Sequence, residues 1–167
     1  PVYSILGSTN PNNWGSVPTS SNSTWDAVIC NWSSSGYRMP TEAEWEYAAR
    51  GACNDPDYLY SGSDFISNVA WYGINSYAMP VGTKAPNSLG VFDMSGNVWE
   101  WCWDWWSNNY YSSSPQIKPL GPAGRVYRVA RGGSWLNSAD VCRVVKRSKR
   151  APYSGLYIGV RLCRTVF

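Results

Sequence analysis

A single stretch of this chain carries a complete set of helix signals, and everything else must fold around it without long regular elements. Pro40-Thr41 opens it, and Thr41 followed by Glu44 forms a capping box in which each side chain satisfies an orphan amide of the first turn. Glu42, Glu44 and Glu46 suit the positive end of the helix dipole, and Arg50 suits the negative end. Trp45, Ala48 and Ala49 share a face, and Gly51 supplies the stop. Outside this helix, 15 Gly and 11 Pro with many Ser and Asn interrupt every other periodic pattern. Residues 1–24 read as loop. Ala27 to Trp32 suits either a short strand or a last helical turn. Residues 52–92 are irregular, Val98 to Trp106 is a dense aromatic run, Val126 to Val129 is a short strand, and Leu162 with the neighbours of Gly159 makes a last strand. The implied class is α+β, with short twisted antiparallel strands, few helices and many structured loops.

The 167 residues suffice for one domain with a sizeable core, and 11 Trp and 12 Tyr against 15% charged residues mark a globular chain. No apolar run approaches the roughly 20 residues of a membrane helix. Residues 1–117 carry three basic and ten acidic side chains, whereas residues 118–167 carry eleven and one. That asymmetry suits either a face for an anionic partner or internal pairing of the two halves. The arginines are spread through framework-like positions, so pairing is the expectation and no nucleic-acid partner is implied. Cys30, Cys53, Cys102, Cys142 and Cys163 form no metal-ligand spacing, and buried free thiols are expected, with room for one disulfide. Histidine is absent, which removes the commonest general base and transition-metal ligand. Asp55 with Asp57, and the helix carboxylates, read as a turn and a solvated helix start rather than acid–base machinery.

Five ordered segments carry a resemblance. They are Gly36 to Gly51, Pro80-Val81-Gly82 with Pro86 to Gly90, Phe92 to Trp101, Arg128 to Trp135, and Ile158 to Leu162. Together they resemble the formylglycine-generating enzyme, or sulfatase-modifying factor, family. The resemblance implies a C-type lectin-like fold whose N-terminal strand and first helix lie upstream of Pro1. On that expectation the C-terminal strand needs a partner from another segment. The family's copper chemistry needs a cysteine pair after Gly-Ser-Phe. Here Asn137 stands in the first cysteine's place and Cys142 abuts the block Arg143 to Arg147, so neither the oxidase activity nor copper is expected. Iron, held through histidines in sulfoxide-synthase relatives, is not expected either. Calcium is the cofactor left open: the family's ligand roles fall on Asp93, Gly96, Val98 and Glu100, with Asp93 where the family often has Asn. A second family site falls on Asn68 and Val69. The alternative is that Glu100 pairs with a core arginine and Asp93 caps a turn.

Residues 131–164 alternate framework blocks with chemically miscellaneous positions: Leu136, Asn137, Ser138, Asp140, Val141, Val145, Lys146, Ser148, Lys149, Arg150, Tyr153, Ser154, Gly155, Leu156 and Tyr157. This texture is similar to the variable proteins of diversity-generating retroelements, which use the same fold and end near an Ile-Gly-Phe-Arg-Leu-Cys-Arg block. Val160 replaces that Phe. The resemblance implies a non-enzymatic protein displaying a diversified surface to a protein or other surface ligand. It would work at the bacterial cell surface or outside the cell, with membrane attachment only through an upstream lipid anchor. Tyr153, Leu156 and Tyr157 offer amphipathic contact area, and Lys146, Lys149 and Arg150 add positive charge. Two alternatives stand beside it: a metal-dependent oxidase of the family, and a carbohydrate-binding module using the tryptophans Trp99, Trp101, Trp103, Trp105 and Trp106.

Overall fold

The computed structural model describes residues 1–74, 77–124 and 126–166, apart from the side chain of Cys53. In chain order the strands and α-helices are β1 (Tyr3–Ser4), α1 (Ser23–Asp26), β2 (Ile29–Cys30), β3 (Tyr37–Arg38), α2 (Glu42–Ala49), α3 (Ile66–Val69), β4 (Trp99–Trp105), β5 (Arg128–Arg131), β6 (Arg147–Arg150), β7 (Ile158–Gly159) and β8 (Cys163–Arg164). The α+β reading holds. The capping box at Thr41 and Glu44 closes in both directions, and Trp45 and Ala49 are buried on the expected face.

Several expectations are corrected. Residues 1–24 are not all loop: Tyr3 pairs with Cys30, and Asn22 caps α1 by accepting from the amides of Thr24 and Trp25. The segment left open between strand and helical turn, Ala27 to Trp32, contains the strand β2, and the helical turn α1 ends just before it. The strand expected at residues 126–129 lies two residues later. The strand expected around Gly159 and Leu162 divides into β7 and β8, with Leu162 exposed between them. The C-terminal strand finds its partner inside the chain, Arg38 of β3 opposite Cys163 of β8.

The main sheet has the order β6-β5-β4-β7. Its β4–β5 and β5–β6 pairs are antiparallel, but β7 runs parallel to β4, an exception to the all-antiparallel expectation. Along β4 the side chains alternate between two faces. Glu100, Cys102 and Asp104 point toward α2 and are buried, whereas Trp101, Trp103 and Trp105 lie half-buried on the opposite face. The core between α2 and the sheet holds Trp45, Ala49, Met94, Cys102, Val129 and Val144.

A polar spine runs through this core. Glu42, read from the sequence as solvated, is 1% exposed. Its carboxylate accepts from Arg131 Nη1 at 3.1 Å and from Arg147 Nε and Nη2 at 2.6 and 2.7 Å. Arg131 also reaches Glu46 at 2.5 Å, and Arg161 chelates Glu100 at 2.7–3.1 Å. Glu42 and Glu46 of the acidic helix are therefore internal counter-ions for Arg131 and Arg147 of the basic C-terminal third. The thiols of Cys30, Cys102 and Cys142 are free and buried, that of Cys163 is free and half-buried, and the fifth, Cys53, lies outside the described side chains.

Candidate ligand-binding surface

The order of strands dictates how residues 151–157 must run. β6 and β7 occupy opposite edges of the sheet, so the chain between them crosses over β5 and β4. Three inter-strand gaps span about 14 Å, and seven residues reach about 23 Å when extended, so this strap crosses with slack to arch outward. Pro152 and Tyr153 share a pocket with Trp101, which places the crossing on the tryptophan face. Residues opposite one another in a ladder share a face. Trp101 therefore lines up with Ala130 and Ser148, and Arg128 with Arg150.

None of the fifteen candidate positions is buried. Leu136, Ser138, Asp140, Val145, Lys149, Tyr153, Gly155, Leu156 and Tyr157 are exposed, and Asn137, Val141, Lys146, Ser148, Arg150 and Ser154 are half-buried. Between them Gly133, Ser134, Cys142 and Val144 are buried. A Cβ on Gly133, at φ +77°, would sit 2.7 Å from the Cys142 sulfur, so this anchor requires glycine. The structure also ties the two ends of the region together. Trp135 and Tyr157 meet edge to face at 5.2 Å, and the Trp99 amide donates to the Tyr157 carbonyl at 2.9 Å. Tyr157 itself holds φ +60°, strain for an aromatic residue that this anchoring maintains.

The positions differ in their freedom. Asn137 accepts from the amide and hydroxyl of Ser134 at 2.9 and 2.8 Å, so its side chain is spent on its own turn. Asp140 pairs with Lys146 at 3.0 Å and Arg143 at 3.4 Å, and the hydrogen bond from Lys146 holds its carboxyl below the ordinary value. Lys149 lies over Tyr127, and Arg150 over Trp99. Tyr153, Leu156 and Tyr157 are the large apolar groups turned outward.

Three of the four residues expected to hold calcium, Asp93, Val98 and Glu100, line a cleft of about 540 Å³ together with Arg161. Asp93 Oδ2 accepts from the Gly82 amide at 2.7 Å, and its buried Oδ1 has no hydrogen-bond partner, an opening for a cation. Glu100 offers no such opening: Arg161 takes both of its oxygens and Trp45 Nε1 donates to Oε2 at 2.6 Å. Gly96, at φ +76°, sits where a Cβ would lie 2.3 Å from the Trp71 carbonyl oxygen, so the turn beside the cleft is built for packing. As a set these four residues do not fit calcium while Arg161 holds Glu100. For the second set, the Asn68 carbonyl accepts from the Ala85 amide at 2.9 Å and Val69 is buried against Tyr60 and Cys142. Burial raises the Cys142 thiol to about 11 and the Cys102 thiol well above its ordinary value, so neither is a thiolate at neutral pH.

The model of the sulfatase-modifying factor enzyme 1-like domain matches residues 9–166. This chain belongs to that family. Over 137 residues the sulfatase-modifying-factor-like chain is 41% identical to a formylglycine-generating enzyme of Streptomyces coelicolor, covering 71% of this chain and 43% of the enzyme. Over 164 residues it is 34% identical to the chaperone protein LppX of Paenibacillus barcinonensis, covering 86% of this chain and 53% of that protein. It thus spans about half the length of these relatives. Among solved structures, variable protein 1 of Treponema denticola superposes with a TM-score of 0.86 at 39% identity, over 99% of this chain and 63% of that one. The C-type lectin-like fold and the similarity to variable proteins are thereby shown.

Within this family framework, one constellation escaped sequence inspection. Trp25 and Asp26 of α1, Trp101 of β4, Arg128 of β5 and Tyr153 of the strap line a pocket of about 280 Å³. Trp101 and Tyr153 were candidates for two separate surfaces, the carbohydrate-binding tryptophans and the variable region, and Asp26 sits in a segment without a motif. Only the fold brings residues 25 and 128 together.

Proposed function

We propose that this domain is a non-enzymatic ligand-binding module of the retroelement variable-protein type, which presents residues 136–157 to a protein or other surface ligand at the bacterial cell surface or outside the cell. The observation that carries this is the strap. Seven residues cross an aromatic platform between fixed ends, and no candidate position contributes to the core. Such an arrangement separates contact-making side chains from those that hold the fold. Likeness to a variable protein supports the same reading. Net positive charge from Lys146, Lys149 and Arg150 favours partners with acidic surfaces.

The oxidase alternative rests on identity to formylglycine-generating enzymes. Against it stand Asn137, committed to its turn where the family's first cysteine belongs, and Cys142, buried with a raised thiol. Two measurements test the proposal. A library randomised at Leu136, Tyr153 and Leu156 should keep Tm within a few degrees for most members, since exposed substitutions typically stay within about 0.5 kcal/mol. Widespread unfolding of that library would overturn the display reading. A Cu(I) titration should show no stoichiometric high-affinity site, and finding one would restore the oxidase.

A further inference from the structure

Arg128 poses a problem that the core does not solve. It is 7% exposed, yet among the described residues no carboxylate lies within ion-pair distance of it. Buried arginines elsewhere in the chain behave differently: Arg38 and Arg131 are both bidentate partners of helix carboxylates. Arg128 instead lies over the rings of Trp103 and Trp105, at 4.7 and 3.7 Å, and donates from Nη1 to the Trp103 carbonyl. Burial pulls its guanidinium down to about 10, and the carboxylates of Asp26 and Asp104 oppose that fall. A buried charge without a counter-ion is costly, and the carbonyl and the two indole faces offset only part of that cost.

Arg128 lines the pocket that Asp26 also lines. Asp26 and Arg128 line the same pocket without forming an ion pair, which suits a ligand group that both accepts and donates a hydrogen bond. The walls are Trp25, Trp101 and Tyr153, and Ser20 contributes a hydroxyl. The pocket surface is mostly apolar. The near-balance of Arg128 and Asp26 disfavours a strongly charged ligand of either sign. A pyranose ring meets all these conditions: its C–H face packs on an indole, and neighbouring hydroxyls accept from a guanidinium while donating to a carboxylate.

We infer that the pocket between α1 and the tryptophan face, bounded by Trp25, Asp26, Trp101, Arg128 and Tyr153, is a binding site for a neutral sugar residue. It is separate from the outward surface of the strap, although Tyr153 belongs to both. The strap's other large groups, Leu156 and Tyr157, do not line it. A variable surface and a fixed sugar pocket would then lie side by side on one face.

The test uses the methyl glycosides of glucose, galactose, mannose and N-acetylglucosamine, followed by saturation-transfer NMR and calorimetry on the full chain. At least one glycoside should bind. Asp26→Asn should weaken that binding about tenfold, equivalent to about 1.4 kcal/mol, Trp25→Ala should abolish it, and Leu156→Ser should leave it unchanged. Tryptophan near-UV dichroism checks that each variant is folded. The inference is overturned if no glycoside binds, if Asp26→Asn and Trp25→Ala bind like the parent, or if nucleosides or acetylated dipeptides bind in their place. None of these failures touches the display proposal, which the library tests separately.

Discussion

Replacing Glu42 by Gln tests whether the buried ion network is the keystone of the fold. The carboxylate receives Arg131 at 3.1 Å, the two-pronged contact of Arg147 at 2.6 and 2.7 Å, and the Tyr111 hydroxyl at 3.3 Å. Arg131 is 0% exposed and keeps one other carboxylate, Glu46, besides the Val144 carbonyl. An amide of the same shape preserves packing but removes the negative charge, and its NH2 group turns one accepting contact into a clash of donors. Breaking a buried, hydrogen-bonded ion pair costs about 3–5 kcal/mol. That is a large share of the roughly 5–15 kcal/mol that holds a typical domain together. Urea denaturation followed by tryptophan fluorescence measures it. With a slope of about 2 kcal/mol per molar urea, the midpoint should fall by about 1.5–2.5 M, and the slope itself should not change. Glu46→Gln, at a carboxylate that is 35% exposed, should cost far less. A loss below about 1 kcal/mol for Glu42→Gln would refute the keystone assignment and leave the arginines as screened, replaceable charges.

Asp104 gives a pH signature. Burial raises its carboxyl to about 7, although the Glu42 amide donates to Oδ2 at 2.6 Å. The folded form therefore holds a proton that the unfolded chain releases near 4, so stability should fall as pH rises from about 4 to 7. The difference between the parent and Asp104→Asn should carry that slope, and a flat difference would remove it. Gly96→Ala forces a Cβ against the Trp71 carbonyl oxygen at a left-handed backbone, and a loss of about 3 kcal/mol or more is expected by chemical denaturation. Because Arg161 already neutralises Glu100, millimolar calcium or a chelator should move Tm by less than about 1 °C in a thermal melt.

Local chemistry made α2 legible, since its cap, charges and stop are written in adjacent residues. The spacing of framework and miscellaneous positions after Arg131 also foretold which side chains stay outside the core. Glu42 was misjudged because its burial depends on arginines 89 and 105 residues away, beyond any local pattern. β7 was misjudged for a similar reason: two residues carry no direction, and only the crossing of the strap makes them parallel to β4. The alternation in β4 was visible, but its sense was not. Tryptophans look like core and carboxylates look like surface, and here Arg161, the Trp45 indole and the Glu42 amide hold Glu100 and Asp104 inside. The pocket draws on four separate segments: Trp101 and Tyr153 were named from the sequence as parts of different surfaces, and Trp25, Asp26 and Arg128 carried no local signature.

The parallel pairing of Ile158 with Trp99 also bears on how the molecule assembles. These partners are far apart along the chain, and their meeting requires β4, β5 and β6 to be already in place. Loop-closure entropy places such a contact late on the route to the native state. Changes within the strap should accordingly leave the folding rate alone and appear in the unfolding rate. A surface free to be rewritten is thus attached where rewriting does not disturb nucleation, so each new version inherits the same path into its fold.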